Sequence, residues 1–254
     1  MSGEPSKTAV FLGPTLPVAE AKSILRAEYL PPAAMGDVYR LTARAPKSRP
    51  QRIALIDGFF ERTAAPWHKE ILWALEQGIE VYGAASMGAL RAAELEPFGM
   101  IGVGHIFEDY RDGRLTDDEE VAVIHGPKER SYAPASDAMV NIRRGLATAL
   151  EAEVLSPATA EALVRLAKGQ FYRDRRWDTV LEAGRAAGLP AAEIEALEAR
   201  VNRARPDAKG DDARALLQRL ATTTPPTRPK KPVEKLAKTW FWWRFVEVMG
   251  GGRR

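Results

Sequence analysis

Ser86 sits in the run Gly83-Ala-Ala-Ser-Met-Gly88, where small residues surround a single hydroxyl. The run joins an apolar stretch, 79–82, to an Ala-rich one ending near Leu95. A strand that turns sharply into a helix exposes the turn residue. It also aims free helix N-terminal N–H groups at whatever that residue attacks. The pattern makes Ser86 a candidate nucleophile. A serine hydroxyl attacks only when a base takes its proton. Lys69 falls one turn into a helix expected over 67–77, beside the carboxyl end of a strand expected over 52–57. His68 points about 100° away from it around that helix, so the two cannot serve equally. Asp57, His105 and His125 keep a Ser-His-Asp arrangement open. A lysine base must be neutral near pH 7 although its free pKa is ~10.4, a displacement of ~4 kcal/mol that only burial and helix dipoles can supply. The plainer alternative is a capping Ser86 and an exposed Lys69, and spacing alone favours it.

The elements that carry these residues follow from periodicity and breakers. Residues 8–12 read as a buried strand ended by Gly13-Pro14, and 18–25 as a helix broken by Tyr29-Leu-Pro-Pro. A short strand near 38–41 and a basic loop over 44–52 follow. Arg52-Ile-Ala-Leu-Ile-Asp57-Gly58 is the second clear strand, and 59–63 a loop. Pro66 suits a first helical turn, and Gly78 suits the end of that helix. Residues 79–82 form the third strand and 86–95 its helix. This βαβα order favours a parallel sheet with helices on both faces, with ligands at the carboxyl ends of its strands. Gly13, Asp57 and the Gly83–Ser86 turn share that edge. Pro97 to Gly104 is Gly-rich but lacks the Gly-Lys-Ser/Thr ending of a phosphate loop. Residues 105–113 read as a short helix. Asp117-Asp-Glu-Glu120 reads as a solvated turn, since consecutive residues cannot all face one ion. A fourth strand is expected over 120–124, before His125-Gly126.

From Ala135 the pattern is helical, with helices expected over 137–152, 158–168, 177–187, 191–203 and 213–221, the last capped by Asp211 or Asp212. A stripe of Met139, Ile142, Leu146 and Leu150 marks the first of them. A Pro/Lys-rich linker over 222–232 leads to a final helix, 233–248. That helix is aromatic nearly all round, and such a helix is either buried in core or interdomain packing, the favoured reading, or presents one aromatic side to a partner. The expected organisation is an α/β domain over 1–134 with a mostly parallel sheet, then an all-helical, basic domain over 135–254.

Composition narrows the chemistry. With no cysteine there is no thiolate nucleophile or thiolate metal ligand, and three scattered histidines make no metal-binding pair. No run approaches ~20 apolar residues and no signal-peptide pattern opens the chain, so a cytoplasmic protein without a membrane span is expected. Residues 1–134 carry 15 Lys and Arg against 19 Asp and Glu, whereas 135–254 carry 22 against 15. The basic half suits an acidic partner. No nucleic-acid motif accompanies it, so nucleic acid is not expected as that partner.

The segments Ile56-Asp-Gly-Phe-Phe, Trp67-His-Lys-Glu-Ile-Leu-Trp-Ala-Leu, Gly83-Ala-Ala-Ser-Met-Gly-Ala-Leu-Arg-Ala-Ala-Glu94, Ile106-Phe-Glu-Asp-Tyr and His125-Gly-Pro resemble the TfuA-like family over roughly residues 8–130. TfuA-like proteins accompany YcaO enzymes, which use ATP to activate a peptide backbone amide during thioamidation. The resemblance implies hydrolysis of the thiocarboxylate tail of a ubiquitin-fold, ThiS-like sulfur carrier, and help for YcaO with its peptide substrate. It implies a Ser–Lys pair, here Ser86 and Lys69, with Lys7 and Lys128 as the other lysines near the motifs. No cofactor of the chain's own is implied. On this reading amides of Met87, Gly88 or Gly13 hold the oxyanion. Gly58, Gly83 and Gly88 admit a slim Gly-Gly tail. Asp57, His68, Arg91, Glu94 and His125 support the site or bind substrate. The alternatives are a non-catalytic adaptor or activator of YcaO, and an esterase or amidase unrelated to sulfur.

Overall fold

The computed structural model describes residues 7–59, 63–225 and 236–250. Its elements in chain order are β1 (Thr8–Phe11), α1 (Val18–Ile24), β2 (Glu28–Leu30), α2 (Asp37–Thr42), β3 (Arg52–Leu55), α3 (His68–Glu76), β4 (Glu80–Ala84), α4 (Met87–Leu95), β5 (Ile101–Val103) and α5 (His105–Arg111), followed by α6 (Met139–Glu151), α7 (Pro157–Lys168), α8 (Trp177–Ala186), α9 (Ala191–Arg203), α10 (Ala208–Thr222) and α11 (Trp240–Val248). An α/β region with a parallel sheet thus precedes a helical one. Contacts divide the chain into one unit of Met1–Arg114 with Asp212–Arg254 and a second of Leu115–Asp211. The end of the chain therefore groups with the sheet, whereas the change in composition near Ala135 suggested a single helical domain to the C-terminus.

In the first unit all five strands are parallel, in the order β2-β1-β3-β4-β5. The chain builds outward from β1 in one direction and then in the other, so the β1/β3 boundary is a topological switch point, where such sheets bind ligands. Successive side chains alternate faces. Val10, Leu12, Ala54, Ile56, Tyr82 and Ala84 share one buried cluster with Ala21 and Leu25 and with Leu216, Leu217 and Leu220 of α10. That apolar stripe of α10 explains why residues after Asp212 rejoin the sheet. Arg52 fastens the end of the helix there, donating to the carbonyls of Leu220 at 3.1 Å and Thr223 at 2.9 Å.

Several elements differ from the periodicity reading. Residues 28–30, read as part of a helix break, pair with Ala9–Phe11 as an edge strand before the two prolines. Residues 38–41, read as a strand, lie in α2. Gly36 turns at φ +94° into that helix, and the Glu70 carboxylate accepts the Gly36 and Tyr39 N–H groups. A distant side chain thus satisfies amides that a six-residue helix leaves open. The Gly-rich loop contains β5, paired with Tyr82–Ala84. The strand expected over 120–124 does not form. Among the described residues the second unit holds no strand, only an isolated His125–Pro134 bridge, so a strand there would leave its backbone groups unpaired. Nor is Asp117–Glu120 a freely solvated turn. Glu120 is buried and ion-paired with Arg143 at 2.9 Å and Lys168 at 3.0 Å.

The second unit packs α6 to α9 around Met139, Ile142, Leu146, Leu163, Trp177, Val180, Ile194 and Leu197. Ala149, not the exposed Leu150, completes the α6 stripe. Asp212 caps no helix of its own: α10 starts earlier, and the Asp212 carboxylate accepts N–H bonds from His105 at 3.0 Å and Ile106 at 2.8 Å at the start of α5. The last helix begins at Trp240, after non-helical residues 236–239. The expected loop at 60–62, the linker over 226–232, the helix start at 233–235 and the tail at 251–254 lie outside the described residues.

Candidate active site

The carboxyl edge of the sheet is tied together by Asp57. Its side chain is 1% exposed and accepts three bonds from the loop after β1: Gly13 N–H at 2.8 Å, Thr15 N–H at 3.1 Å and Thr15 Oγ1–H at 2.6 Å. Asp57 is thus a loop anchor at the switch point, and the Gly13 amide is committed to it. Gly58 bridges to Ala33 and lies against the Met87 side chain.

Ser86 occupies a strained turn. Ala85 has φ +66°, a left-handed value that costs a non-glycine residue ~1–3 kcal/mol. Ser86 follows at φ −120°, ψ −127°, and α4 starts at the next residue. What holds the strain is close backbone packing. Gly88 N–H donates to the Ile56 carbonyl at 3.2 Å, and a Cβ on Gly88 would run into the carbonyl of Leu55. Gly83 in turn lies against the Gly88 carbonyl. The start of α4 is therefore pressed onto the ends of β3 and β4. Ser86 occupies the N-cap position, yet its side chain makes no cap hydrogen bond. It is 7% exposed. Of the three amides expected to hold an oxyanion, those of Gly13 and Gly88 already donate elsewhere. The Met87 N–H, first of the helix, has no backbone partner among the described residues.

A second cluster joins α3 to α4. His68 Nε2 lies 2.8 Å from Glu94 Oε2, and Arg91 donates to the same oxygen at 2.6 Å and to the Pro66 carbonyl at 3.0 Å. Burial raises the Glu94 carboxyl, but the hydrogen bonds from His68 and Arg91, with the charge of Arg91, outweigh it and leave it below the ordinary range. His68 thus links α3 to α4. Lys69 turns to the C-terminal segment: its Nζ donates to Thr239 Oγ1 at 2.9 Å and to the Ala237 carbonyl at 3.5 Å, and lies 5.5 Å from the centre of the Trp67 ring. Lys7 precedes β1 and so stands at the amino edge of the sheet, opposite Ser86. Lys128 and His125 belong to the second unit, where His125 Nδ1 lies 2.8 Å from the Gly126 carbonyl and its ring meets Tyr132 edge-on.

Three participants escaped the sequence reading. Thr15 lies in the turn after β1, expected at this edge of the sheet, but its hydroxyl carries no pattern that points to Asp57. Glu70 is at the third position of α3, where a carboxylate commonly reaches back to the N-cap amide, and it does so to Trp67 at 2.8 Å. That signal was present, but its further reach to Gly36 and Tyr39 was not readable. Thr239 meets Lys69 across 170 positions of sequence, and no local pattern announces such a contact. Among the described residues no group of three or more His, Asp or Glu side chains could hold a metal ion, and no helix is long and apolar enough to cross a membrane.

No curated protein matches the chain. A family model described as TfuA-like protein matches residues 57–176. The match starts later than the motif resemblance and runs further, through α6 and α7. It includes Ser86, Lys69, Asp57, His68, Arg91, Glu94 and His125, and leaves out Gly13 and the C-terminal segment. Residues 57–176 are thus similar to the TfuA-like family.

Proposed function

We propose that the protein is a serine hydrolase of a thiocarboxylated, ThiS-like sulfur carrier, working beside a YcaO enzyme. The TfuA-like family is associated with YcaO enzymes in peptide thioamidation. The observation that carries the hydrolase reading is the state of Ser86. A serine at a helix N-cap normally spends its hydroxyl on the cap. Here the hydroxyl makes no such bond, on a strained turn at the ligand-binding edge of a parallel sheet.

Ser86 Oγ attacks the thiocarboxylate carbonyl of the carrier's terminal glycine as Lys69, in its free-amine form, takes the hydroxyl proton. The Met87 N–H, at the positive end of α4, donates to the oxyanion. The C–S bond breaks as the Lys69 ammonium returns its proton to the sulfur, so that hydrosulfide leaves and the amine is free again. Water then attacks the acyl-serine with Lys69 as base, the C–O bond to Ser86 breaks, and the proton returns to Oγ. The carrier departs with an ordinary carboxylate. Asp57 serves by fixing the 13–15 loop, and the His68–Glu94–Arg91 cluster by fixing α3 against α4.

The test is sulfide release from a thiocarboxylated carrier by the wild type, Ser86→Ala and Lys69→Ala. Loss in both variants supports the pair. Release that survives Ser86→Ala returns the protein to an adaptor role beside YcaO.

A further inference from the structure

Lys69 is surrounded by acceptors. Its Nζ has the Thr239 hydroxyl oxygen at 2.9 Å, the Ala237 carbonyl at 3.5 Å and the face of Trp67 at 5.5 Å. A hydroxyl oxygen, a carbonyl and an aromatic face all suit an ammonium ion. A general base must instead present a free lone pair to the serine proton, within about 3 Å or through one water. The amine is therefore occupied, and what occupies it is the stretch just before α11.

That stretch is held down on both sides of Lys69. Lys238 reaches the opposite end of α3, with its Nζ 3.5 Å from Glu76 and 5.0 Å from the centre of the Trp73 ring. Beyond it, α11 buries Trp242, Phe245 and Val246 against Tyr39, Trp67, Leu72 and Trp73. Trp242 is fully buried, with ring centroids 5.5 Å from Trp73 and 5.9 Å from Tyr39. Thr239 occupies the N-cap of α11 but makes no cap bond there. Its hydroxyl serves Lys69 instead. The opposite side of the segment is exposed, with Trp240 and Phe241 66% and 70% accessible.

From these contacts we infer that residues 236–249 form an autoinhibitory strap. Docked, the strap holds the Lys69 amine through Thr239 and Ala237 and keeps it from Ser86. Undocked, it releases the amine for proton transfer. The inference rests on the reading of Lys69 as the base, so its test uses one readout that needs no hydrolysis. Thr239→Val keeps the shape of the side chain and removes the acceptor. An ordinary hydrogen bond biases the held over the free amine by about fivefold. Acetylation of Lys69 by a limiting N-hydroxysuccinimide ester, read by peptide mass mapping with Lys22 and Lys47 as internal references, should therefore quicken by about that factor in Thr239→Val. It should quicken further in Trp242→Ala, which undocks α11. Sulfide release from the carrier should rise in the same order.

Unchanged labelling of Lys69 in both variants overturns the strap. Faster labelling without faster sulfide release, in a protein whose activity Ser86→Ala abolishes, overturns its inhibitory role while leaving the hydrolase reading intact. Sulfide release untouched by Ser86→Ala overturns the hydrolase reading and the inhibition with it. In that case the labelling rates still decide whether Thr239 holds the amine.

Discussion

Ser86 and Gly88 stand two residues apart and predict opposite phenotypes. The Ser86 hydroxyl makes no cap bond, so Ser86→Ala should change stability by less than ~0.5 kcal/mol in urea unfolding, whereas a working cap would lose ~1 kcal/mol. Gly88→Ala places a methyl group against the Leu55 carbonyl and should cost ~2 kcal/mol or more by the same measurement. A loss in Ser86→Ala equal to that of a cap would mean that the hydroxyl is structural. Glu70 makes the same kind of point for a carboxylate. It is fully buried and accepts N–H bonds from Gly36, Tyr39 and Trp67. Replacing it with Ala strands those donors, and a loss of ~3 kcal/mol is expected.

At the scale of elements, what was legible had a local cause. β1, β3 and β4 are short apolar runs, and α3 and α4 are bounded by Pro66, Gly78 and the Ser86 turn; their placement needed nothing from elsewhere. The errors share a different cause. The helix α2 exists because Glu70 caps it from 31 positions away, β2 and β5 because a neighbouring strand was there to pair with, and the 120–124 run stays irregular because none was. Periodicity carries no information about such partners. The Ser86 turn was legible from its small residues, but the destination of Lys69 was not, since it depends on where residues 237–239 return. The aromatic helix was expected to pack, and its inner face does. Trp242→Ala should release ~3 kcal/mol or more of that packing, seen as faster tryptic cleavage after Lys238 while cleavage in α6 to α9 stays unchanged. Equal cleavage in wild type and variant would show that α11 is not held by Trp242.

For the molecule as a whole, electrostatics sets the response to acid and to salt. Burial raises the Glu120 carboxyl, but the hydrogen bonds and charges of Arg143 and Lys168 outweigh it and hold its pKa below the ordinary glutamate value. A carboxyl depressed in the folded state contributes stability above its unfolded pKa of ~4.3 and loses it as pH falls through the lower folded value. Acid unfolding of the wild type should therefore steepen below about pH 4.3, and Glu120→Gln should flatten that limb while lowering stability near neutrality. An identical acid limb in the variant would remove Glu120 from the account. The excess of Lys and Arg after residue 134 should make binding of an acidic partner weaken as salt rises, in titrations at increasing ionic strength. The central claim is nonetheless a bond at one atom. The direct measurement is the intact mass of the protein after rapid quenching with a thiocarboxylated carrier, followed by peptide mapping. The account predicts an added mass equal to the acyl-carrier without its sulfur, as an ester on Ser86, absent in Ser86→Ala. Sulfide release at the wild-type rate from Ser86→Ala, with no such adduct on the wild type, would contradict it.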